Sequence, residues 1–113
     1  MNTWKLAPLL LLSACATVAP VTVISDRDGT LRGTATAAFP VGTFEVSNEK
    51  MTCTGTYDTL SQAPTIEMIF RCSDGRTGLA IVTRTSARTG HGTIRMSDGS
   101  TGNLIFGGAA ASL

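Results

Sequence analysis

Three cysteines, one histidine and a group of arginines are the side chains of this 113-residue chain with the most capacity for chemistry. Thiolates bind metals and attack electrophiles, but Cys53, Cys72 and His91 do not stand at zinc-finger spacing, and no C-x-x-C pair is present for redox exchange. His91 sits between Gly90 and Gly92 with no nucleophile or orienting acid beside it, so it reads as a solvated turn residue. Neither a G-x-S-x-G elbow nor a phosphate-binding P-loop occurs. Asp26-Arg27-Asp28-Gly29 opens like a calcium loop, yet Ala37 stands where the closing bidentate Glu belongs, and a turn is expected. Glu45, Glu49, Asp58 and Glu67 fall at outward or turn positions, as solvated charges rather than an acid/base pair. The expectation is a protein that is not an enzyme and uses no cofactor or metal.

The arginines are distributed unevenly. Residues 15–70 carry six acidic against three basic side chains, whereas residues 71–113 carry Arg71, Arg76, Arg84, Arg88 and Arg95 against Asp74 and Asp98. A formal net charge of +1 over the chain excludes a nucleic-acid binder that works by neutralising phosphates. Arg71, Arg84 and Arg95 are the candidate binding residues. Projected from neighbouring strands toward one face, their guanidinium forks suit the phosphates or carboxylates of lipopolysaccharide, an envelope glycan or a protein partner. The alternative is ordinary solvation with pairing to the acidic half.

Residues 1–14 place Lys5, an apolar run and small residues ahead of Cys15, the pattern of a secretory leader. The run is far short of the roughly 20 apolar residues of a membrane-spanning helix. Leu12-Ser13-Ala14-Cys15 resembles the lipobox of bacterial lipoproteins. That resemblance implies cleavage before Cys15, diacylglycerol on its sulfur and a further acyl chain such as palmitate on the new N-terminus. With Ala16 rather than Asp after the cysteine, it also implies the outer membrane, on its periplasmic or surface face. Ala14-Cys15-Ala16 fits the A-x-A pattern of ordinary signal peptidase as well, which would release a soluble chain.

The elements behind these residues are strands. Twelve Gly and eighteen Thr, with 15% charged residues, point to short strands and tight turns. Apolar residues alternate at Leu31, Gly33, Ala35, Ala37 and Phe39; at Phe44 and Val46; at Met51, Cys53, Gly55 and Tyr57; at Ile66, Met68, Phe70 and Cys72; and at Gly92, Ile94 and Met96. A further strand carries Leu79-Ala80-Ile81-Val82, and another spans residues 103–106. Each alternation lays one stripe against a shared core. Asp28-Gly29, Asp74-Gly75 and Asp98-Gly99 are hairpin turns between such runs. The fold class is therefore all-β: a small antiparallel meander of seven to eight short strands closing as a barrel or a sandwich. The organisation is a leader over 1–14, a lipidated cysteine and tether over 15–24, and one β domain over 25–113. A domain this small needs extra stabilisation. A hairpin centred near Ser61-Gln62 brings Cys53 opposite Cys72 within one residue, and an oxidising envelope makes a disulfide the expectation.

A 24-residue repeat links Cys72-Ser-Asp-Gly-Arg-Thr-Gly with Met96-Ser-Asp-Gly-Ser-Thr-Gly. Gly90-His91-Gly92 with Asp98-Gly99 resembles part of a membrane occupation and recognition nexus (MORN) repeat, which implies similar hairpins. Ser97-Asp98-Gly99, with Cys53 near Tyr57, is similar to C-type lysozyme inhibitor lipoproteins, which are small lipid-anchored barrels with a disulfide. The aromatic and Lys-bearing loop that they use against lysozyme has no counterpart after Gly99. The function expected is a non-catalytic outer-membrane lipoprotein acting as an envelope binding or structural accessory module. The alternative is a periplasmic or surface inhibitor of a hydrolase such as lysozyme.

Overall fold

The computed structural model describes residues 17–86, 88–108 and 110, so the leader and Cys15 lie outside the described residues. The described residues form eight strands: β1 (Val18–Ser25), β2 (Gly29–Thr36), β3 (Val41–Ser47), β4 (Thr52–Asp58), β5 (Thr65–Cys72), β6 (Thr77–Ser86), β7 (Thr89–Met96) and β8 (Thr101–Phe106). Each pairs antiparallel with the next, and β8 pairs back onto β1 from Val21↔Phe106 to Ser25↔Gly102. The sheet is a closed barrel, not a sandwich, and closure gives every one of these strands a partner on both sides.

Alternation in sequence becomes inside and outside. Leu31, Phe44, Val46, Cys53, Met68, Phe70, Ala80, Val82, Ile94, Met96 and Leu104 are buried and form the core. Leu79 and Ile81 flank Ala80 on the outer wall, and Ile81 is exposed. The narrow interior is filled by setting aromatics across from glycines. Gly42 faces Tyr57, Gly78 faces Phe70 and Gly90 faces Phe106 across paired strands. A Cβ at any of these glycines falls within 2.3 Å of the facing ring, so the ring occupies the missing side chain's space. Phe44 and Phe70 meet edge-to-face at 5.8 Å across the core.

Two expectations are corrected. The tether read over 15–24 is mostly barrel, since β1 begins at Val18 and supplies the strand that closes the sheet. Alternation does not mark this strand because its outer face is also covered. Thr22, outward-facing but 2% exposed, donates to the Ala110 carbonyl at 2.8 Å, while the Gly107 N–H donates to the Pro20 carbonyl. The chain after β8 thus folds back over β1. Phe39 is the second correction. The stripe assigned inward on β2 ends with the strand at Thr36, and Phe39 stands 79% exposed in the following loop.

The disulfide links Cys53 to Cys72, which are directly opposed in the β4–β5 ladder. Closing a loop of this length contributes on the order of 3 kcal/mol by restricting the unfolded chain. The 24-residue repeat is a structural repeat. In both turns the Asp side chain accepts an N–H two residues on, Asp74 from Arg76 and Asp98 from Ser100. The following Gly75 and Gly99 take positive φ of 93° and 90°. Each turn's serine hydroxyl accepts an N–H from the neighbouring hairpin, Ser73 from Thr52 and Ser97 from Thr77.

Candidate functional site

A meander barrel gathers alternate connections at opposite ends. Residues 26–28, 48–51, 73–76 and 97–100 form one end. Residues 37–40, 59–64 and the link from β6 to β7 form the other, together with the entry into β1 and the exit from β8.

The first end is closed by Arg76. Its Nη2 donates to Asp28 Oδ1 at 2.9 Å, its Nε to Asp74 Oδ2 at 2.8 Å and its Nη1 to Asp98 Oδ2 at 2.9 Å. Its side chain is only 13% exposed, against the Met51 sulfur, and Arg27 adds a second ion pair to Asp98. The hydrogen bond to Asp28, then that to Asp74, raises the Arg76 pKa further above its ordinary value. Asp98 is held well below the usual carboxylate range, first by the Ser100 hydroxyl and backbone and then by the two arginines; Arg76 lowers Asp74. Beneath this ionic lid the void among Val23, Leu31, Val46, Cys53 and Met96 is about 10 Å³, at the lower limit for a single water.

The second end is open. A cavity of about 260 Å³ runs into the barrel, lined by apolar Val21, Ala35, Phe44, Ile66, Phe106 and their neighbours. Two donors reach it, Tyr57 and Arg84. Burial pushes the Tyr57 phenol above its ordinary pKa, with nearby Arg84 opposing, so the hydroxyl is protonated at neutral pH and available to donate. Arg84 anchors the β4–β5 loop, its Nη2 donating to the carbonyls of Ser61 and Ala63. Thr59, also at the cavity, donates its hydroxyl to the Pro40 carbonyl at 2.6 Å and ties two rim loops together. An apolar pocket with a few convergent polar groups is the usual form of a small-molecule site.

The three arginines singled out from sequence are not brought to one face. Arg84 turns to the cavity mouth, whereas Arg71 and Arg95 stand on the outer wall in different grooves. Arg71 lies beside Thr54, Thr56 and Ile69; Arg95 lies beside Leu79, Ile81 and Asn103. Arg84 is displaced because strand alternation at β6 puts it on the same inward side as Ala80 and Val82. His91 is exposed on the outer side of β7, level with Thr83 and Ile105. Ser97-Asp98-Gly99 is a closed-end turn, with its carboxylate held by Arg27, Arg76 and Ser100. Arg76 escaped selection, and its signal lay in the repeat, where it replaces the Ser100 of the second copy.

No protein-family model matches the chain, and no curated protein matches it. Among solved structures the chain is similar to a de novo designed, fluorescence-activating beta barrel. The TM-score is 0.56 at 16% sequence identity, over 79% of this chain and 88% of that one, a likeness of barrel fold alone.

Proposed function

We propose that this protein is a non-catalytic, lipid-anchored binding module of the bacterial outer membrane, and that its barrel holds a small ligand with an apolar body and an oxygen-bearing head. The observation that carries the binding reading is the cavity of about 260 Å³ at one end of an otherwise packed core. Interiors are ordinarily close-packed, and an apolar cavity open to solvent leaves wall atoms without dispersion partners until something fills it. A volume just under the roughly 300 Å³ of small ligand pockets suits part of an acyl chain or a compact aromatic molecule. Tyr57 and Arg84 both donate, which matches a carboxylate, sulfonate or phosphate oxygen rather than a reacting bond. Anchoring rests on Leu12-Ser13-Ala14-Cys15.

Titration with anilinonaphthalene sulfonate, an aromatic body with an anionic head, tests the cavity. The expected result is one saturable site, lost in Ala35→Leu and weakened about tenfold in Arg84→Gln, the scale of one charge-assisted hydrogen bond. Undiminished affinity in Ala35→Leu would place the probe elsewhere, and undiminished affinity in Arg84→Gln would remove Arg84 as the head-group residue. Metabolic labelling with palmitate tests the anchor, with label expected on the wild type and absent from Cys15→Ala.

A further inference from the structure

The exposed apolar side chains are concentrated where the cavity opens. Phe39 is 79% exposed, Val18 60%, Leu60 56% and Val41 51%, and all four stand on the open end, Phe39 and Leu60 in the β2–β3 and β4–β5 loops and Val18 and Val41 as the first residues of β1 and β3. Of the remaining large exposed ones among the described residues, Ile69 and Ile81 lie on the outer wall of strands and Ile24 alone stands near the closed end, where the turns themselves carry none. Exposed apolar side chains gathered around a pocket mouth mark a place that meets another apolar phase.

The chain outside the described residues adjoins that same end. Thr17, the first described residue, accepts the Ala37 N–H on its carbonyl at 2.7 Å and so lies on the rim. One residue, Ala16, separates it from Cys15, so the two lie at most about 7 Å apart along the chain. With β1 starting at Val18, little chain is left between the barrel and an acylated Cys15 to hold the open end away from the bilayer.

From these two features we infer that the open end is a membrane-docking surface: Phe39, Val41, Leu60 and Val18 enter the bilayer interface and set the cavity mouth against the acyl region. This rests on the anchoring reading above and names the partner surface of the same site. The cavity then fills from the bilayer rather than from water, and the Arg76 lid faces away.

Depth-dependent fluorescence quenching tests it. The one tryptophan of the chain is Trp4, which leaves with the leader, so a mature variant carries a single introduced reporter. Lipidated Phe39→Trp, Leu60→Trp and, at the closed end, Glu49→Trp are reconstituted into vesicles of phosphatidylethanolamine and phosphatidylglycerol with brominated acyl chains. The same preparations are weighed by mass spectrometry. Blue-shifted, strongly quenched emission at positions 39 and 60, with red, unquenched emission at position 49, is the expected result. Acyl mass on Cys15 with all three reporters equally unquenched overturns docking and leaves the anchor standing. No acyl mass on Cys15 overturns both.

Discussion

The two halves of the barrel are built from the same eight strands and end differently. Toward the Arg76 end, Leu31, Val46, Met51, Cys53 and Met96 leave about 10 Å³ of void, and a disulfide crosses one pair of strands. Toward the other, Ala35 stands where a larger residue would pack, and about 260 Å³ stays open. The two halves share one backbone plan, and the difference lies in how completely the inward side chains fill it. Tight packing and the covalent staple are thereby gathered in one half, and the other is incompletely packed, as binding sites commonly are.

The strongest way to break this comparison is to remove the staple from the packed half. Cys53→Ala with Cys72→Ala should lower stability by about 3 kcal/mol, and the melting temperature by about 12–24 °C for a domain of this size. Measured well below that lowered temperature, affinity for anilinonaphthalene sulfonate should be unchanged. Loss of probe binding from a still-folded variant would show that the two halves are not separable.

Filling the open half should have the opposite sign. Ala35→Leu places methyl groups into existing space and should raise stability by about 1 kcal/mol, or about 4–8 °C in melting temperature, while it abolishes probe binding. A lower melting temperature would mean that the cavity cannot accept a wall residue without strain. Paired with the disulfide variant, it gives two substitutions that move stability and binding independently.

How much of this asymmetry is legible in sequence depends on the physical signal. Period-two alternation gives the inward stripes of β3, β4, β5 and β7 and the pairing of Cys53 with Cys72, because a strand has one dry face and a hairpin fixes its register. β1 is not legible, since Val21, Thr22 and Val23 are all buried once the residues after β8 cover the outer face. Arg71, Arg84 and Arg95 look equivalent in composition, and only the phase of each strand sends Arg84 inward to the mouth and the others to the wall. Arg76 and its three carboxylates come from three separate turns, and such convergence depends on barrel closure. Phe39 reads as core by alternation because nothing local reports that the strand stops three residues earlier.

The smallest effect expected concerns the ionic lid and its response to acid. Asp74 and Asp98 have pKa values lower in the folded protein than the ordinary 3.8. The carboxylate form is therefore favoured by folding. The contribution is full above the ordinary Asp value, declines as pH falls through it, and is gone once the folded carboxyls take up protons. Thermal melts between neutral pH and about pH 3 should show the wild type losing stability over the lower part of that range. In Arg76→Gln, Asp28, Asp74 and Asp98 are left close together with much of their countercharge removed. The variant should melt below wild type at neutral pH and fall less steeply in acid, so that the two curves converge. Convergence should be incomplete by about pH 3, because Asp98, held well below the usual carboxylate range, keeps its charge there and with it the pairing to Arg76 that the variant lacks. Parallel curves would mean that Arg76 closes the end by packing alone. Probe binding should not respond to pH from neutral into the alkaline range below the Tyr57 titration, because burial keeps that phenol protonated there. A lid that titrates beneath a site that does not is the same separation of halves, read along the pH axis.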